Sequence, residues 1–341
     1  MSGKRKGLGR ATVHDVAKLA GVSSITVSRY FKQPDIVSPV LRERISEAVR
    51  VLDYLPNHAA GGLASTRGRI VAMVIPNISG PIFANTIQSF SDELSRYGYQ
   101  LLLASSYFSI EQEERAVRAF LGWSPAALVL TSQYHSEETE RLVAKATMPI
   151  VETWDYEPAR KPLQVGFSHG EVGRQAVEYL HGKGYQRIAF VQNSMVGDLS
   201  ALDRRDGYIA AMASYGLNPW VFVPTQADPF EAGKQAVNSL LLRKEPAEAI
   251  IFANDNLAAG GMLAGQRAGM QFPRDCAIFG FGNYAFSEML LPSLTTIRPP
   301  AKEIGEVAAM RILQALGEIP TDEPVQHLNL LECELIVRES A

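Results

Sequence analysis

The chain has 341 residues, enough for two or three domains with cores of their own. An apolar fraction of 46% and a charged fraction of 20% are those of a soluble globular protein, and no apolar run approaches the roughly 20 residues of a membrane span. The formal charge of −3 hides an asymmetry: residues 1–69 hold 12 Lys/Arg against 5 Asp/Glu, a balance of +7, and the remainder carries −10. That division fits a small nucleic-acid-binding head on a body that avoids nucleic acid.

The opening MSGKRKGLGR is basic with no apolar stretch behind it, which excludes a secretory leader and leads us to expect a cytoplasmic protein. Cys276 and Cys333 suit a reducing compartment and read as free thiols. From Thr12 to Tyr30 runs TVHDVAKLAGVSSITVSRY. Thr12 caps a first helix, with Asp15 three residues on, and Val13, Val16, Ala17 and Ala20 recur at helical spacing. Gly21 supplies the turn, and Ser23 or Ser24 caps a second helix. Val27 is expected to face inward. Ser24, Ile25, Thr26, Ser28 and Arg29 are the candidates for the DNA surface. Short polar side chains allow close approach to base edges, Ile25 suits a thymine methyl, and Arg29 suits guanine or a phosphate. Ser38-Pro39 opens a third helix that runs to about Asp53. This all-α layout is a helix-turn-helix.

These residues, followed by YLPNHAAGGLAS from Tyr54 to Ser65, resemble the head and hinge of the LacI/GalR family of bacterial repressors, in family order and spacing. The resemblance implies a head over 1–55 and a hinge helix and linker over 56–69. It adds Asn57, His58, Leu63 and Ala64 to the DNA contacts, with Leu63 as an apolar wedge that kinks the operator from the minor groove. Gly61 and Gly62 depart from a good helix, each costing about 1 kcal/mol relative to alanine. A hinge helix that forms only on DNA is therefore expected. Changing both glycines to alanine should tighten operator binding in a mobility-shift titration and blunt release by effector.

From Arg69 onward short apolar runs alternate with amphipathic segments. Strands are predicted at Ile70–Ile75, Leu101–Ala104, Ala127–Thr131, Ile150–Glu152, Gln164–Phe167, Ile188–Gln192, Ile250–Phe252, Ala277–Phe281 and Leu330–Val337. Helices are predicted at Ile82–Tyr97, Glu111–Leu121, Gly170–Lys183 and Ala232–Leu242. The alternation implies α/β architecture with parallel sheets in two subdomains, and a ligand cleft beyond the carboxyl ends of the strands.

RRDGYIAAM, FANDNLAAGG, IFGFGN and PSLTTIRPP extend the resemblance to LacI/GalR cores. It implies a periplasmic-binding-protein-like fold, with subdomains of 70–167 plus 299–328 and 168–297 plus 329–341, and crossovers near Phe167, Arg298 and 328–331. It makes Arg204, three residues before Gly207, the leading effector contact; the bland alternative is a surface ion pair with Asp203 or Asp206. Strand-end position adds Asn77, Ser79, Phe83, Glu152, Trp154, Asp155, Phe167, His169, Asn254 and Asp255. Phe230 and Asn283 complete the candidates. Gly282 stands where many members carry an aspartate that grips sugar hydroxyls, and PIVETWDYEP resembles the gluconate-repressor branch. Losing an acid while keeping Arg204 points to a sugar acid such as gluconate or a ketogluconate, with neutral or phosphorylated sugars as alternatives.

No catalytic motif, Cys cluster or metal-ligand spacing occurs, so neither an enzyme nor a cofactor is expected. A transport-type sugar-binding protein would account for the body but not for the basic head. A homodimer on a pseudo-palindromic operator is expected, without the leucine-heptad tail that makes some relatives tetramers.

Overall fold

The computed structural model describes residues 11–55, 68–193, 197–241, 243–321 and 324–341. Asn57, His58, Leu63, Ala64 and the Gly61-Gly62 pair lie outside them. The chain divides into two compact units, 1–68 and 69–341.

In the first unit α1 (Val13–Ala20) begins with the complete capping box, Thr12 and Asp15 each closing the other's backbone N–H. Gly21 ends it at φ 66°, a left-handed conformation that glycine adopts without strain. Ser23, not Ser24, caps α2 (Ser24–Lys32). After a 3₁₀ turn at Pro34–Ile36 comes α3 (Pro39–Val51), two residues shorter than expected. Val16, Ala17, Ala20, Val27, Val37, Ile45 and Ala48 close the core between the three helices.

The second unit contains two six-stranded sheets. In chain order its elements are β1 (Ile70–Ile75), α4 (Pro81–Arg96), β2 (Gln100–Ser105), α5 (Ile110–Gly122), β3 (Ala127–Thr131), α6 (Glu137–Lys145), β4 (Ile150–Asp155) and β5 (Leu163–Phe167). Then follow α7 (His169–Gly182), β6 (Ile188–Val191), α8 (Leu199–Ser214), β7 (Trp220–Phe222), α9 (Pro229–Leu241), β8 (Ala249–Phe252), α10 (Asp255–Arg267) and β9 (Ala277–Phe281). The last are β10 (Thr295–Arg298), α11 (Ala301–Ala315), β11 (Leu328–Leu330) and β12 (Glu334–Ile336).

The first sheet has the order β2-β1-β3-β4-β5-β11, all parallel. The second has β7-β6-β8-β9-β10-β12, parallel except for β12. The chain passes from first to second sheet after β5, back after β10 and across again after β11. The predicted strand Leu330–Val337 is therefore two short strands in different sheets. Sheet pairing carries the first subdomain through Leu330, two residues past the boundary expected at 328.

Buried β1 and β3 read as continuous apolar runs because both faces are covered by helices. α4 packs against α11, where Gly305 lets the backbone at Thr86 and Phe90 come close. Both cysteines are free thiols.

Candidate functional site

On α2 the residues predicted for DNA fall into two groups. Ile25 and Arg29, four apart and on one face, are exposed, Ile25 by 66%. Ser23 and Thr26 are tied up locally: the Ser23 hydroxyl accepts from Thr26 N at 3.2 Å and lies 2.9 Å from its hydroxyl. Thr12 is likewise engaged as a cap. Ser24 and Ser28 are half-buried, Ser24 lying 3.5 Å from His14 Nδ1. The exposed Ile25 and Arg29 side chains thus stand side by side, a pairing that suits a thymine methyl beside a guanine or phosphate.

Between the two sheets of the core lies a cavity of about 340 Å³. Asn77, Phe83, Trp154, His169, Arg204 and Asn254, all expected there, line it. Arg204 is 6% exposed on the first turns of α8, whose N-cap Asp198 also lines the cavity. It reaches this position through helix packing without side chains between. A Cβ on Gly207 would enter the Gly170 carbonyl, and one on Gly173 would lie 2.7 Å from Tyr208 N. α7 and α8 therefore touch backbone to backbone, which sets Arg204 beside His169.

Arg204 NH1 donates to His169 Nδ1 at 2.7 Å, and NH2 to the Ala253 carbonyl at 3.4 Å. Its guanidinium lies 4.3 Å from the Phe281 ring centroid. Its nearest carboxylate is Asp198, at 3.9 Å, and Nε has no partner among the described residues. Burial lowers the pKa of Arg204, opposed by Asp198 and Asp155. The alternative of a surface pair with Asp203 or Asp206 fails. Asp203 accepts from Tyr134 Oη at 2.6 Å, and Asp206 accepts from Arg205.

Trp154 takes φ 77°, costly for a bulky side chain. It stands opposite Gly166 in the β4–β5 register, and a Cβ there would enter the backbone of Asp155. The local twist turns Trp154 into the cavity, edge-on to Phe83 with centroids 4.8 Å apart.

The other predicted contacts lie elsewhere. Asp155 is behind the lining, where it accepts from Gln133 N and Ser200 Oγ and lies 2.9 Å from His169 Nε2. Burial works against its charge, but His169 and the hydrogen bonds outweigh this and lower its pKa. It orients His169 so that Nδ1 faces Arg204. Glu152 is buried within the sheet, accepting from Arg160 Nε at 2.7 Å and Gln164 Nε2 at 3.0 Å. Phe167 packs under Trp154 and His169. Asp255 is wholly buried and accepts from Ser287, Thr296 and Tyr284 N, so it braces a loop. Asn283 accepts from Arg338, and Ser79 donates to Asn77 Oδ1. Phe230 is half exposed and outside the lining; its backbone packs against Gly260. Gly282, at φ 129°, faces Tyr284, whose ring fills the space a side chain there would need. Glu113, Tyr134, Asp198, Ser200 and Tyr284, which sequence reasoning missed, also line the cavity. Ser200 and Arg204 stand one helical turn apart, a spacing that would have flagged Ser200.

Among the described residues, contacts that cross the cleft include Tyr134 to Asp203, Ser200 and His169 to Asp155, and the Phe108 carbonyl against Gly197.

Residues 12–57 match the family model for bacterial regulatory proteins of the lacI family, and residues 177–341 match a periplasmic binding protein-like domain. The HTH-type transcriptional regulator GntR of Pseudomonas aeruginosa is 30% identical over 334 residues, covering 97% of this chain and 96% of that protein. The chain belongs to the LacI family. The HTH-type transcriptional regulator GntR of Escherichia coli K12 is 28% identical over 92% of this chain and 94% of its own. The crystal structure of a LacI family regulator from Silicibacter pomeroyi matches with a TM-score of 0.88 at 28% identity, covering 97% of this chain and 99% of that one. The protein is thus a DNA-binding transcriptional regulator with a LacI head and an α/β effector domain.

Proposed function

We propose that this regulator is a homodimeric cytoplasmic repressor that holds a pseudo-palindromic operator until a sugar acid, gluconate or a ketogluconate, enters the core cleft. The observation that carries this reading is Arg204. A buried guanidinium whose Nε has no partner among the described residues and whose nearest carboxylate is 3.9 Å away is a charge in want of an anion. The aromatic wall of Phe83, Trp154 and Phe281 suits the apolar face of a polyol chain. The resemblance of PIVETWDYEP to the gluconate-repressor branch and the full-length match to regulators named GntR support the same class.

In this reading Arg204 takes the carboxylate, His169 and Asp155 hold the guanidinium in place, and ligand contacts from both subdomains favour one cleft geometry. Effector shifts the equilibrium only by its different affinities for the two states. A neutral sugar is the competing reading, favoured by Asp198, which offers Arg204 a resident counter-charge. The test is an operator mobility shift with gluconate, ketogluconates and neutral hexoses added in turn. Release by the acids alone is the expected result; release by neutral hexoses alone overturns the sugar-acid assignment.

A further inference from the structure

The wall supplied by the first subdomain contains a second charged device. Glu113, one turn into α5, is 5% exposed and lines the cavity. Its Oε1 lies 2.6 Å from Nδ1 of His135, whose side chain is 1% exposed. His135 Nε2 is 3.5 Å from Glu152 Oε1, and Arg160 joins Glu152 to Glu140. Burial pushes the His135 pKa down, but the Glu113 and Glu152 carboxylates beside its two ring nitrogens outweigh that and raise it to about 9. Three carboxylates against two cations leave the network with an excess negative charge. Glu113 Oε2 forms no hydrogen bond among the described residues, so the cavity end of the network is an open acceptor.

We propose that Glu113 reads the hydroxylated end of the effector, so that the cleft selects a polyhydroxy monocarboxylate and rejects ligands with a second anionic group at that end. The inference rests on the sugar-acid reading of Arg204. A carboxylate with one oxygen taken by an imidazolium accepts a hydroxyl proton well with the other. The same oxygen repels a terminal carboxylate or phosphate, and in a desolvated cleft such repulsion discriminates strongly. Arg204 and Glu113 belong to different subdomains, so one ligand spans both. Tyr134, next to His135, bonds across the cleft to Asp203, which links the Glu113 side of the site to a contact between the subdomains.

The test is calorimetry on the full-length protein with D-gluconate, D-glucarate and gluconate 6-phosphate. Gluconate should bind at least about tenfold tighter than either ligand with a second anionic group. The variant Glu113→Gln, which keeps an acceptor and removes the charge, should bring the three within about threefold. A wild-type protein that binds either ligand with a second anionic group within threefold of gluconate overturns the proposal, and this comparison needs no variant to fold. A folded Glu113→Gln protein with unchanged ratios overturns it as well. If the acids fail to bind and a neutral hexose binds, the sugar-acid reading has failed. Glu113 is then judged on the hexose: a loss of about tenfold in Glu113→Ala keeps its role, and unchanged affinity removes it. No binding by either class overturns both.

Discussion

Arg204 shows how one side chain can be kept ready at the cost of stability. Its charge is desolvated without a close carboxylate, so truncation to a similar apolar shape should not destabilise the empty protein. Arg204→Met should melt at the wild-type temperature or a few degrees above it, bind operator normally, and lose effector response by about a hundredfold or more. Calorimetry and a mobility shift with effector check both parts. His135 makes the opposite prediction. Its pKa of about 9 in the folded protein lies above the ordinary value of about 6.5 in the unfolded chain. The folded state therefore binds the extra proton, and the stabilisation is complete below pH 6.5 and lost as pH rises through 9. The melting-temperature gap between wild type and His135→Gln should be widest near pH 6 and narrow steadily to pH 10.

At the level of elements, the close approach of α7 and α8 explains the spacing of Arg204 and Gly207. Glycine three residues on is what lets α8 touch Gly170, and that contact fixes where the arginine emerges. Gly207→Ala should cost about 1–3 kcal/mol in urea unfolding and weaken effector binding more than operator binding. Such contacts also mark what could be read beforehand. β1, β3 and β9 match their predicted bounds because each is an apolar run with clear ends. β7 is a three-residue edge strand, too short to show a period. α10 is buried almost all round, so its Ala- and Gly-rich sequence has no polar stripe to betray a helix. The site was legible where a residue comes within two positions of its strand's end, as Asn77 and Asn254 do. Asp155 stays behind the lining because the left-handed backbone at Trp154 turns that ring to the cavity, and Glu152 lies within β4, bound to Arg160 and Gln164. Glu113 and His135, 22 residues apart, meet only once α5 and the loop after β3 are packed, a relation no spacing rule carries.

At the scale of the whole molecule, head and core follow different physics. Operator affinity rests on phosphate neutralisation and should fall linearly in log–log plots against salt, by about 0.9 per phosphate contacted. Effector binding in a desolvated cleft should respond far less. The contact of the Phe108 carbonyl with Gly197 has a consequence in time. If parting of that seam gates ligand release, the parting rate becomes the residence clock of the ligand. Stopped-flow release should then give similar dissociation rates for a strong and a weak sugar acid, their affinities differing mainly in association. Rates that instead scale with affinity would mean the seam does not hold the ligand in. A regulator timed in this way would respond to a falling metabolite with a delay set by its own fold.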